Sequence, residues 1–274
     1  MSIEPFVRKS EQVLELSTWN NLSADMLVAG FTTRVGGISS TDYESFNLGL
    51  HVKDNPNTVG SNRNLLGTLL DFPTSRWVCS EQTHDNKIVK VSSSDIGAGV
   101  YDYSNSIKDT DGLYTDDKNI LLTLCYADCV PLFFYSPDRQ LIGIAHAGWK
   151  GTVKNIAGEM VQKWREEGVL PHQIFAAIGP AIGKCCYVVD DYVINLVRDL
   201  EIESANIFSN KEDGQYQLDL KQLNYELLKK AGIRENHISV SSYCTSCENN
   251  LFFSHRKDNG KTGRMMSFIG IKEV

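Results

Sequence analysis

The chain has 274 residues, 42% of them apolar and 22% charged, with a formal net charge of −7. This is an ordinary globular composition with enough chain to bury a core, and its acidic balance argues against a general nucleic-acid binder. No run approaches the ~20 apolar residues of a membrane span, and the N-terminus has no basic stretch followed by an apolar one, so a cytoplasmic protein is expected.

In chain order, 26–31 reads as a strand that ends at the turn Gly36-Gly37. Segments 77–80 and 88–91 read as strands flanking Glu81-Gln-Thr-His84, and 120–124 and 132–135 bracket Cys125 to Pro131. An apolar run over 141–145 stops at His146. From 152 to 167 apolar residues recur at helical spacing (Val153, Ile156, Ala157, Met160, Val161, Trp164), and Gly168 closes the helix. Residues 174–178 read as a strand entering Gly179-Pro180. Segments 190–200 and 220–231 read as helices, and 238–241 and 265–269 as strands. The mixture lacks a regular βαβ beat, and no linker or repeat divides it. An α+β fold in one domain over 1–274 is expected.

The seven cysteines do not look like a disulfide framework, because the count is odd and the chain is long. Cys129 and His146 stand near strand ends, where scaffolds present functional groups, and a third zinc ligand, such as His84, could come from a more distant strand end. Spacing alone favours a plainer account, a buried thiol and a hydrogen-bonded core histidine. Cys244-Thr-Ser-Cys247 is a CxxC with no second pair and no thioredoxin-like unit before it, so structural thiols are the default. Cys185 and Cys186 are adjacent; in a strand they would point to opposite faces and simply pack. Gly151 is expected to open a helix whose N-terminus receives an anion. Arg34, beside the diglycine turn, has the donor fork that suits phosphate, although an exposed hairpin arginine explains it equally well. Ser254-His-Arg256, after Phe252-Phe253, reads as a base contact or a surface turn.

These segments fall in one order: Phe31-Thr-Thr-Arg-Val-Gly-Gly37 with Phe46-Asn-Leu-Gly49, Gln82-Thr-His84, Asp109-Thr-Asp-Gly112, Ala127-Asp-Cys-Val-Pro131, His146-Ala-Gly-Trp-Lys-Gly151, Ile178-Gly-Pro180 with Cys186-Tyr187, and Ser254-His-Arg256. Each is weak alone, but the ordered set is specific. It resembles the YfiH-like family, long called the multi-copper polyphenol oxidoreductase or laccase-domain family, from about 31 to 269.

The resemblance implies two related α+β halves with packed sheets and helices outside. It also implies one zinc held by His84, Cys129 and His146. The implied activity is phosphorolysis of purine nucleosides (adenosine, inosine and guanosine, with methylthioadenosine as a further candidate), with adenosine deamination beside it. Copper would bind such a soft site adventitiously. Six histidines without paired His-x-His spacing do not suit a laccase. Asp128 and Asp111 are candidates for proton transfer. Arg34, with Arg63 and Lys150 in reserve, is the candidate phosphate ligand. Asn47, Gln82 and His255, assisted by Arg256, are candidates to hold the base. Cys125 is the rival metal ligand. The competing readings are a copper-dependent phenol oxidase and a hydrolase using Cys129 as nucleophile with His146 as base. The expected partners are nucleosides and phosphate, with neither nucleic acid nor membrane.

Overall fold

The computed structural model describes residues 3–22, 26–202 and 206–273. The chain enters through strands β1 (Phe6–Arg8), β2 (Val13–Leu16) and β3 (Leu27–Thr32), then helix α1 (Pro56–Leu69). Strands β4 (Trp77–Cys79), β5 (Ile88–Lys90), β6 (Gly112–Thr115), β7 (Leu121–Tyr126), β8 (Val130–Ser136) and β9 (Leu141–Ala147) follow. Helices α2 (Trp149–Val153) and α3 (Ile156–Glu166) precede β10 (Phe175–Ile178), β11 (Val188–Asp190) and α4 (Asp191–Arg198). The last elements are β12 (Phe208–Glu212), β13 (Gln215–Leu218), α5 (Leu220–Lys230), β14 (Ile238–Val240) and β15 (Met265–Ile271).

Two six-stranded mixed sheets result, ordered β1-β2-β3-β15-β7-β4 and β14-β10-β8-β9-β6-β5, with a small sheet β11-β13-β12 beside them. The expected α+β class holds. Strand alternation explains the layering. On β8, Phe133 and Tyr135 point to the core between the sheets, whereas Val130, Leu132 and Phe134 point to the helices α3, α4 and α5. On β9, Ile142 and Ile144 face the inter-sheet core, while Ala145 and Ala147 face the helices. The same period of two puts His146 on the inter-sheet side, where the strand runs out. A third core lies between the first sheet and α1. Among the described residues no helix is long and apolar enough to cross a membrane.

The helix expected over 152–167 is in fact two. Asn155 adopts φ +58° and its side chain accepts from the Gly158 N–H, so it ends α2 and caps α3. Asparagine tolerates the left-handed region and satisfies an orphan donor, a combination that periodicity does not reveal. The first helix also begins earlier than expected, at Trp149, which places Gly151 inside α2. Glycine is needed there for another reason: a Cβ would lie 2.9 Å from the Asp85 carbonyl oxygen. Helix α1, with Asn55 as N-cap and Pro56 in the first turn, was not anticipated at all.

Candidate metal centre and cavity

The densest chemistry sits where β7 and β9 end and β8 begins. Pairing of β8 with β9 sets Pro131 opposite His146 and Val130 opposite Ala147, so Cys129 emerges beside the imidazole. His84 arrives from the loop between β4 and β5 in a left-handed conformation, φ +61°. Its ring meets that of His146 edge-on, with centroids 4.6 Å apart. One donor atom each from His84, Cys129 and His146 lie within 4.8 Å of one another. Two imidazoles and a thiol in this arrangement could hold a metal ion.

Asp111 lies behind this group and is fully buried. Its Oδ1 is 2.8 Å from His146 Nδ1 and accepts from the His84 N–H. Its Oδ2 accepts from the Thr83 and Asp85 N–H groups and the Thr83 hydroxyl. The carboxylate therefore turns the other nitrogen of His146 toward Cys129 and fixes the loop that carries His84. Such outer partners orient ligands and raise their basicity. Burial alone would raise the Cys129 thiol, but His146 and His84 outweigh it and bring it down to about 6. Burial would likewise lower His146, yet Cys129 and Asp111 push it up to about 9.

The rival ligand is excluded by geometry. Cys125 lies one residue before the end of β7 and packs toward the α1 side. Burial pushes its thiol up to about 11, and its Sγ is 3.8 Å from the Leu48 carbonyl oxygen. Gly148 makes the remaining room: a Cβ there would stand 3.0 Å from Cys129 Sγ and 3.1 Å from the His84 ring. Gly148 thus clears space for Cys129 and His84.

The three donors open on a cavity of about 220 Å³. Of the substrate candidates, Arg63, Gln82 and His255 line it, whereas Arg34, Asn47, Lys150 and Arg256 do not. Arg34 spends its fork on the carbonyl oxygens of Glu44 and Asn249 and stacks on Phe253, 4.6 Å away. Asn47 bonds Asp54 through its amide nitrogen and accepts the Gly49 and Arg264 N–H groups through its oxygen. Lys150 leans over Trp149, and Arg256 lies over Tyr187 and donates to the Val188 carbonyl. Asp128, another proton-transfer candidate, stands outside the lining: its carboxylate accepts from the Thr245 hydroxyl and the Arg256 N–H, both at 2.7 Å. Gln82 lines the cavity but clamps the Cys125 backbone with both ends of its amide.

Arg264, His51, Ser80 and Tyr103, none of them singled out in the sequence, line the cavity beside the candidate Arg63. Arg264 donates from Nη1 to the Thr262 and Gly263 carbonyls. Arg63, buried, donates to the carbonyls of Leu48, Gly99 and Val100. Among the described residues neither guanidinium has a carboxylate partner, so the two arginines bring positive charge to the lining. The crowding of the wall, then the charges of Arg264 and Arg63, hold the His51 imidazole down to about 3. Ser80 presents a buried hydroxyl with no partner among the described residues, and Tyr103 completes the mouth. No motif marks these residues; a lone Arg264 just before a strand carries no local signal.

The family described as multi-copper polyphenol oxidoreductase laccase matches residues 28–272. The chain belongs to this family. A Bacillus subtilis (strain 168) relative named purine nucleoside phosphorylase YlmD is 49% identical over 98% of each chain. A Geobacillus stearothermophilus relative of the same name is 51% identical over 90% of each. The crystal structure of the Bacillus licheniformis hypothetical protein YfiH superposes with a TM-score of 0.95 at 49% identity, covering 98% of this chain and all of that one. The laccase-family membership expected from the ordered motifs is therefore met, and the ordered segments fall inside the matched region.

Proposed function

We propose that this chain is a zinc-dependent purine nucleoside phosphorylase that also deaminates adenosine, with zinc at His84, Cys129 and His146. The observation that carries the reading is one cavity lined both by three convergent donors and by two guanidinium groups that have no carboxylate partner among the described residues. The phosphorylase names of the relatives at 49% and 51% identity agree with it. Zinc held this way leaves a position open and supplies Lewis acidity to an oxygen placed there.

The chain's own residues do the rest. Phosphorolysis joins a phosphate oxygen to C1′ of the ribose while the bond from C1′ to the purine breaks. Arg264 binds the phosphate through the donors it does not spend on the backbone. Arg63, most of its donors spent on backbone carbonyls, adds fixed positive charge in a site where water screens little. Ser80 offers its unpartnered hydroxyl to the nucleoside or phosphate, and His255 holds the base at the rim. Asp111 acts as a positioning residue through His146. In deamination, water adds at C6 of adenine and ammonia leaves. His51, Tyr103 and His255, which line the cavity, are the groups placed to carry protons.

Replacing Cys129 with Ala tests the reading. Bound zinc and hypoxanthine release from inosine plus phosphate are expected to fall together, activity by about 100-fold or more, since loss of even an outer partner reaches that range. Inosine formation from adenosine is expected to fall with them. Full retention of zinc and activity overturns the assignment. One feature favours a second reading: Cys129 emerges beside His146, which pulls its thiol down, the pairing that a Cys–His hydrolase uses. Activity that survives a chelator and leaves a covalent adduct on Cys129 would favour that reading.

A further inference from the structure

Outside the cavity, a second group of donors converges. Cys185 and Cys186 lie in a turn between β10 and β11, not in a strand, so adjacent side chains are free to point the same way. This corrects the expectation that they pack on opposite faces. Cys244 and Cys247 come from the segment between β14 and β15, and Cys244 pairs with Ala181 in an isolated bridge. The CxxC thus meets a pair some sixty residues earlier in the chain, a partnership hidden from spacing rules.

The four Sγ atoms lie within 4.8 Å of one another. Cys185 is 3.6 Å from Cys244 and 3.5 Å from Cys247, and Cys186 is 3.4 Å from Cys247. A tetrahedron with zinc–sulfur bonds of about 2.3 Å has edges of about 3.8 Å, close to these separations. The four sulfurs form one group in which Cys247 touches both Cys185 and Cys186, unlike a single disulfide beside two spare thiols. An iron–sulfur cluster spreads its thiolates around several iron atoms and needs a wider cradle. The Gly183 N–H donates to Cys244 Sγ at 3.2 Å, the contact that stabilises a ligating thiolate.

We propose that Cys185, Cys186, Cys244 and Cys247 hold a structural zinc ion in an all-thiolate site. Its place explains its use. The Thr245 N–H donates to the Ala181 carbonyl, and the Thr245 hydroxyl donates to Asp128, the residue before Cys129. The segment held by the clip runs on to His255 and Arg264 at the cavity. The ion therefore pins the strip that supplies one cavity wall while taking no part in the chemistry.

The test is a zinc count by elemental analysis on protein purified under reducing conditions. Wild type is expected to hold about two zinc ions per chain, and Cys185→Ser/Cys247→Ser about one fewer. His84→Ala/Cys129→Ala should also lose about one, leaving the thiol site filled. A wild-type count of one that vanishes in Cys185→Ser/Cys247→Ser supports the thiol site and counts only against the cavity. An unchanged count in that variant overturns the proposal, as does copper or iron at these thiols in place of zinc. The wild-type protein gives an independent reading if the variant fails to fold. Cys185 and Cys247 are exposed, so iodoacetamide should label them slowly before chelation and at least about tenfold faster after it. Equal rates, or a disulfide among the four, overturn the site.

Discussion

At Gly148 the tolerance of the metal centre is set by a single hydrogen. Its backbone (φ −64°, ψ 170°) suits any residue, so an alanine there is not strained by conformation. The obstacle is contact alone: the new methyl would press on Cys129 Sγ at 3.0 Å and the His84 ring at 3.1 Å. Neither can retreat freely, because Cys129 leads directly into β8 and the His84 N–H is held by Asp111. Gly148→Ala is therefore expected to fold normally while zinc affinity drops roughly 10–100-fold, the range seen when a ligand's surroundings are disturbed. Competition with a chromogenic chelator measures it. Unchanged affinity would show that the two ligands are not held in the arrangement described.

At the scale of elements, the break between α2 and α3 does more than shorten a helix. It leaves Lys154 free to meet the His84 loop, where its Nζ is 2.7 Å from Asp85 and its carbonyl accepts from Asn86. Asn155→Ala removes the cap and forces a β-carbon residue without local hydrogen bonding into the left-handed region. Together these cost about 2 kcal/mol. Asn155→Gly keeps the conformation at ease and should cost about half as much or less. Urea unfolding of both variants checks the order, and equal losses would rule out backbone conformation as the cause. Elements whose burial follows one period were legible beforehand: β8, β9 and α5 carry unbroken apolar patterns. Helix α1 was not, because Pro-Asn-Thr-Val-Gly-Ser-Asn-Arg is polar and its few apolar residues make only a weak stripe. Its signature lay in the cap, Asn55 before Pro56, rather than in periodicity. The site divides the same way. His84, Cys129 and His146 sit in ordered motifs, whereas Arg264, His51 and Ser80 become neighbours only through sheet packing. Arg34 misled because its donor fork suits a backbone carbonyl as well as a phosphate.

For the whole molecule, charge and substrate pull in opposite directions. A chain with net charge −7 repels phosphate at a distance, yet the proposed reaction needs phosphate at the centre of the protein. The fold resolves this locally. It buries Arg63 against three backbone carbonyls and brings Arg264 from just before β15, two cations with no carboxylate partner among the described residues. Burial weakens the preference of Arg264 for its charge, but arginine stays protonated at any working pH, so the cavity keeps its sign. A charged hydrogen bond is worth about 1.5–3 kcal/mol, which corresponds to roughly 10–100-fold in affinity. Arg264→Met is therefore expected to raise KM for phosphate by that factor while bound zinc stays at the wild-type level. Arg34→Met supplies the contrast. Its loss strands the Glu44 and Asn249 carbonyls, so the protein should unfold at lower urea while KM for phosphate holds. Steady-state kinetics over a phosphate series, with zinc measured on the same samples, separates the two arginines. If Arg34→Met raised KM for phosphate and Arg264→Met did not, phosphate would have to bind near the diglycine turn, and the cavity arginines would lose their part in the proposed reaction.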